Sequence, residues 1–150
     1  MDVVFVPTDP THIRYMPDNA VPRMCEDTRG ITALDVKKGP LGISLMDSWS
    51  ANSVQIHMWI GNPLIIRYGF LQEVFGFVFS EESGRTIAMG MMPSDNRKVL
   101  NFSAHIGMEE VCRVPDIYAD GIDSVISVMK KENCRWIENG KLFRKERRRA

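Results

Sequence analysis

Hydrophobic and polar positions alternate in short runs along most of this chain and change to a spacing of three and four in two places. Val3 to Val6 is a β-branched run closed by Pro7-Thr8-Asp9-Pro10, which predicts a first strand followed by a helix start. Thr11 to Met16 is that helix, stopped by Pro17, and a second short helix is expected over Val21 to Thr28, bounded by Pro22 and Gly30. From Ile31 the pattern turns extended: Ile31 to Val36, a turn at Lys38-Gly39-Pro40, Leu41 to Met46 and, past polar Asp47 to Asn52, Ser53 to Ile60. Three successive antiparallel strands are expected.

The run Ser53 to Ile60 is the most informative. By the two-residue period Val54, Ile56, Met58 and Ile60 share one face, leaving Gln55, His57 and Trp59 on the other. One face suits a core and the other a cleft. After Gly61-Asn62-Pro63, Leu64 to Ser80 carries Ile66, Phe70, Val74, Phe77 and Val78 at helical spacing, and Glu81 to Gly84 ends that helix. Thr86 to Met92 reads as a fifth strand whose Met89, Met91 and Met92 suggest an adaptable core. Pro93 to Asn96 forms a turn with capping residues, and Arg97 to Ile106 is a further helix ending at Gly107. Glu109 to Val114 and Ser124 to Met129 are two last strands, joined by the loop Pro115 to Gly121.

A chain of 150 residues holds one core of useful size. Nineteen basic and nineteen acidic residues cancel, which argues against attraction of the whole surface to nucleic acid or membrane. The cancellation conceals a split: Met1 to Trp136 has thirteen basic and seventeen acidic residues, net −4, whereas Ile137 to Ala150 has six and two, net +4. The division read from this is a domain over 1–136 and a basic C-terminal tail over 137–150. Cys25, Cys112 and Cys134 are odd in number and lack CxxC spacing, so neither a disulfide framework nor a zinc site is indicated, and no metal is expected. No apolar run approaches the roughly 18 residues that span a bilayer, and a cytoplasmic location without membrane contact is expected.

The segment Asn96-Arg-Lys-Val-Leu-Asn-Phe-Ser-Ala-His-Ile-Gly-Met108, followed by the strand Glu109 to Val114, resembles the N-x-x-A-x-x-x-Y-x-x-x-G-F motif of the GNAT superfamily of N-acetyltransferases. Gly69 to Phe79 is similar to the long helix after that family's cofactor loop, and the order of elements from Val3 to Trp136 is the family's order. The ending Met129 to Trp136 also resembles small acetyltransferase-like proteins of tailed bacteriophages. The resemblance implies a mixed α/β fold, with a mainly antiparallel sheet of six to seven strands splayed at the centre and flanked by helices. It implies acetyl-CoA as cosubstrate, its pantetheine arm on backbone at Trp59, Ile60 and Gly61, its phosphates near Arg67, Tyr68 and Gly69, and Asn96 as a further cofactor contact. A helix N-terminus favours an anion there.

Three positions depart from the family pattern. The glycine-rich loop is represented by Asn62 to Gly69, which keeps one arginine and one glycine; the acid tyrosine falls on Ser103; and the fourth strand has His57 where a glutamate base commonly stands. His57 is the candidate general base, because imidazole titrates near neutral pH, and Ser103 occupies the acid's position. Asp47 either orients His57 or begins the turn, and the turn is preferred. Asn96 reads first as a helix cap, His105 as an exposed helical residue, and Cys112 and Cys134 as core or half-buried thiols.

The function implied is acetyl-CoA-dependent transfer to an amine, the acceptor being a small molecule or a protein. The alternative is a catalytically inactive protein of this fold, serving as a phage virion component or binding a host factor. Host cytoplasm or virion would then be its location, and a homo-oligomer or a virion assembly its state. Lys141, Arg144, Lys145, Arg147, Arg148 and Arg149 suit nucleic acid or an acidic protein surface, docking on the acidic body, or a solvated tail.

Overall fold

The computed structural model describes residues 1–138 and 141–142, with side chains through Ile137. Its main sheet has seven strands: β1 (Val3–Pro7), β2 (Arg29–Asp35), β3 (Gly39–Asp47), β4 (Ser53–Ile60), β5 (Ile87–Pro93), β6 (Glu109–Ala119) and β7 (Ile122–Lys130). The order across it is β1-β2-β3-β4-β5-β7-β6, and every neighbouring pair is antiparallel except β4 and β5. The helices are α1 (Pro10–Ile13), α2 (Phe70–Val78) and α3 (Arg97–His105). This is the mixed α/β architecture with a mainly antiparallel sheet that the family resemblance implies.

The two faces of β4 part as its alternation requires. Val54 and Ile56 are buried in the larger core with Val74 and Phe75 of α2, Ile106 after α3, and Trp136, while Met58 and Ile60 pack against it. On the opposite face Ile43, Leu45 and Met16 form a smaller core beneath the N-terminal segment, with Trp59 packed against them. Leu45 lies opposite His57 in the β3–β4 register, so His57 shares this second face. Phe5 of β1 stacks on Phe70 with ring centroids 6.3 Å apart, tying the first strand to α2.

Several elements differ from the sequence expectation. No helix forms over Val21 to Thr28: the Thr28 hydroxyl accepts the Cys25 N–H, giving this backbone a local alternative to helical bonding, and Pro22 has no N–H to offer. A 3-10 turn at Asp18–Ala20 precedes it. The first helix begins earlier and stops at Ile13 instead of Met16. Leu64 to Ser80 is not one helix. A 3-10 turn, Pro63–Ile66, is separated from α2 by Gly69, whose φ of 98° no helix interior adopts. β6 continues past Val114 to Ala119, with register shifts at Glu110/Cys112 and Val114/Ala119. Met92 is buried, whereas Met91 is exposed.

Ordered pairing continues beyond the boundary drawn at Trp136. Ile137 is buried in the main core, and β8 (Ile137–Glu138) pairs with β9 (Lys141–Leu142) beside α2. Of the basic end, Arg144, Lys145 and Arg147 to Arg149 lie outside the described residues. No helix among the described residues is long and apolar enough to cross a membrane.

Candidate functional site

The parallel pair β4 and β5 is joined over three residues only: Ser53 with Ile87, Val54 with Ala88, and Gln55 with Met89. Beyond Gln55 the strands part. On its other side β4 stays paired with β3 through Ile60 opposite Gly42, and β5 stays paired with β7 through Pro93 opposite Ser124. Neither strand bends away from its own half-sheet, so a wedge opens between the halves. Along one wall the β5-facing backbone groups of Ile56–Ile60 have no ladder partner. Four strand steps from Ile56 to Ile60 give an open edge of about 13 Å.

His57 stands two residues past the last β4–β5 pairing. Its Nε2 is 2.8 Å from Asp47 Oδ1, with about a quarter of the histidine side chain and an eighth of the carboxylate exposed. The register accounts for the contact: Leu45 is opposite His57 and Asp47 opposite Gln55, so Asp47 is the diagonal neighbour of His57 on the same face. Asp47 is thus engaged with His57, not confined to beginning the turn. Sequence alternation could place His57, but the diagonal contact required the β3–β4 register.

From Ile60, at the wide end of the wedge, the chain runs through the 3-10 turn Pro63–Ile66 to the N-terminus of α2. The first intrahelical bond there runs from Glu73 N–H to Gly69 C=O, so the N–H groups of Phe70 and Leu71 lie ahead of the helix's own ladder. The preceding N–H groups are engaged: Arg67 donates to Leu64, Tyr68 to Ile65 and Gly69 to Ile66. The cradle of free loop amides that a glycine-rich loop supplies is therefore not built from these three residues. Arg67 and Tyr68 are exposed at this end. Asn62 caps the 3-10 turn by accepting from Leu64 N–H.

The remaining candidates separate. The Trp59 ring lies against Gly61, where a Cβ would stand 2.6 Å from it, and belongs to the smaller core. Ile60 packs towards the larger core, so these two residues offer the wedge backbone and not side chains. Gly61 and Asn62 both donate to Leu41 C=O. Asn96 caps α3 by accepting Val99 N–H at 3.2 Å, and His105 is exposed at that helix's last position. Ser103 is the buried residue of α3, and its Oγ has no hydrogen-bond partner among the described residues. Since α3 packs on the larger-core face through Phe102 and Ile106, the structure does not bring Ser103 beside His57. Among the described residues no cluster of His, Cys, Asp and Glu could hold a metal ion.

No protein-family model and no curated protein matches the sequence. Solved structures do match the fold. A mutant form of spermidine N-acetyltransferase SpeG from Vibrio cholerae superposes with a TM-score of 0.70 at 8% identity, over 87% of this chain and 94% of that one. The Vibrio cholerae spermidine N-acetyltransferase in complex with CoA and spermine gives 0.60 at 11% identity, over 72% and 68%. A Desulfovibrio desulfuricans protein assigned to the GNAT family of acetyltransferases gives 0.60 at 12% identity, over 69% of each chain. A likeness at these identities is one of fold, and the chain has the fold of the GNAT acetyltransferases.

Proposed function

We propose that this protein is an acetyl-CoA-dependent N-acetyltransferase acting on a primary amine. The observation that carries the reading is the wedge: an open β4 edge with His57 towards its narrow end, followed in the chain by the helix that begins at Phe70. The amide-bearing pantetheine arm would pair with backbone of Ile56–Ile60, much as a strand would. Phosphates would meet the first N–H groups of α2 and the Arg67 side chain, where the helix dipole favours negative charge. The acetyl end would then reach the narrow end of the wedge beside His57.

In that arrangement His57 accepts a proton from the amine as it attacks the thioester, and most of the rate comes from holding the two reactants together. Ser103, buried on the far side of the sheet, is a poor proton donor in this pose, and solvent at the open wedge reprotonates the thiolate. CoA and spermine in the Vibrio cholerae complex motivate the choice of probes.

The test is thermal stability in saturating acetyl-CoA, then thiol release with a panel of amines that includes spermine. At a hundredfold excess over Kd, ligand that binds only the folded chain adds about 2.7 kcal/mol. For a chain of this size that raises Tm by roughly 5–10 °C. His57→Ala should bind acetyl-CoA as before and lose about 10² to 10⁴ in kcat. Absence of any Tm shift with CoA or acetyl-CoA would reject the enzyme in favour of a non-catalytic binding protein of the same fold.

A further inference from the structure

We infer that Asp47 is a positioning residue that fixes the His57 tautomer and makes Nδ1, the ring nitrogen nearer the backbone, the atom that takes the proton. The inference rests on the acetyltransferase reading for the use of that proton acceptor, but not for the arrangement itself.

The argument begins with the chemistry of the contact. A carboxylate has only acceptors, so at 2.8 Å from Asp47 Oδ1 the Nε2 atom must carry hydrogen. In neutral imidazole the other nitrogen then holds the lone pair. No hydrogen bond to Nδ1 occurs among the described residues, whereas Nδ1 of His12 receives the Asp9 N–H. The contrast matters: His12 spends its proximal nitrogen on capping α1, while His57 keeps its own available. Because Nδ1 is attached to Cγ, it lies close to the β4 backbone, on which the proposed acyl carrier would rest.

A second observation concerns how Asp47 is held. It is the last residue of β3, and the next residue, Ser48, has a φ of 52°. Serine pays a steric penalty in this left-handed region, and such a conformation persists where its surroundings dictate it. The chain therefore leaves the sheet sharply at Asp47, with its carboxylate kept on the face that carries His57. Polar bonds at both ends of the following turn hold it: Ser50 N–H donates to Ser53 C=O, and Trp49 Nε1 donates to Asp27 C=O.

The step balances as follows. The amine nitrogen forms a bond to the acetyl carbonyl carbon, the C–S bond breaks with its electron pair remaining on sulfur, and the amine proton moves to Nδ1. The resulting imidazolium stays bonded through Nε2–H to the Asp47 carboxylate, which offsets its charge.

The experiment is a nitrogen-15 imidazole spectrum of the full chain near pH 8.5, above the ordinary histidine range, with the His57 signals identified by their loss in His57→Gln. Wild type should show a protonated Nε2 whose hydrogen exchanges slowly enough to be seen, and an unprotonated Nδ1. Asp47→Ala should lose that slow hydrogen, and kcat with spermine or another accepted amine should fall about tenfold to a hundredfold at unchanged KM for acetyl-CoA, by analogy with loss of the hydrogen-bond partner that orients a metal-bound histidine. A wild-type spectrum with hydrogen on Nδ1, or a slow Nε2 hydrogen that survives in Asp47→Ala, overturns the inference. The wild-type spectrum decides the tautomer even if Asp47→Ala fails to fold. Should the spectra match while acetyl-CoA fails to bind, the enzyme reading falls and the positioning stands. The converse result, acetyl transfer with hydrogen on Nδ1, leaves the enzyme and removes the role of Asp47.

Discussion

At Gly42 the absence of a side chain makes room for the turn that leads to α2. A Cβ there would stand 2.3 Å from Ile65 Cδ1 and 3.1 Å from the Trp59 carbonyl oxygen, and Ile65 is wholly buried. Gly42→Ala should therefore cost about 1–3 kcal/mol by overpacking, read as a lower denaturant midpoint at unchanged slope. Asp35 works at the other end of the same hairpin. Its carboxylate accepts the N–H groups of Lys37 and Lys38 at 2.8 and 2.9 Å, and these two bonds, Lys37 first, hold its pKa below the ordinary 3.8. A depressed folded pKa means that the stabilisation is whole above about 3.8 and is lost as pH falls through the lowered value. Asp35→Ala should accordingly show a shallower loss of stability than wild type between pH 5 and 2, with the two curves converging at the acid end.

Elements are ended by particular residues, and those ends shape the candidate site. Apolar spacing alone carries a helix from Leu64 to Ser80, yet the left-handed backbone at Gly69 divides it and starts a new helix at Phe70. A Cβ on Gly69 would have space, its nearest neighbour being Gln72 Oε1 at 3.8 Å, so the penalty of substitution is one of backbone conformation. Gly69→Ala should cost about 1–2 kcal/mol in thermal or chemical unfolding. A substitution that costs nothing would show that the junction takes up an ordinary helical φ instead.

Across the whole molecule, burial sorts the three thiols. Cys25 and Cys112 are exposed and Cys134 is buried, its thiol pushed up in pKa chiefly by desolvation. A disulfide-exchange reagent at neutral pH should label two cysteines of the native protein within minutes and the third only on unfolding, because a buried thiol supplies little thiolate. Rapid labelling of all three would mean that the C-terminal segment opens readily. That segment is otherwise anchored by Trp136 Nε1, which donates to Ile106 C=O at 2.8 Å, and by the Arg135 guanidinium over the Trp136 ring. The fully exposed edge strand β6 carries Cys112 with Glu110 and Arg113, which pair at 2.8 Å, and such charges discourage other strands from adding to an edge.

Local patterns alone located the seven strands of the main sheet, though not the extension of β6 to Ala119 or the pair β8 and β9, and they gave the two faces of β4 and the capping role of Asn96. Each depends on neighbours within a few residues: a period of two puts Val54 and Ile56 inwards and His57 outwards, and an asparagine three residues before an amide can cap it. The resemblance over Asn96 to Met108 extended this to the order of the sheet. Tertiary structure decided the rest. How far β4 and β5 stay joined depends on the twist of two half-sheets whose pairing residues are more than thirty positions apart, so no local pattern records that they part after Gln55. The contact between Asp47 and His57 likewise exists because β3 and β4 pair in one register. A shift by one residue would have turned either side chain to the opposite face.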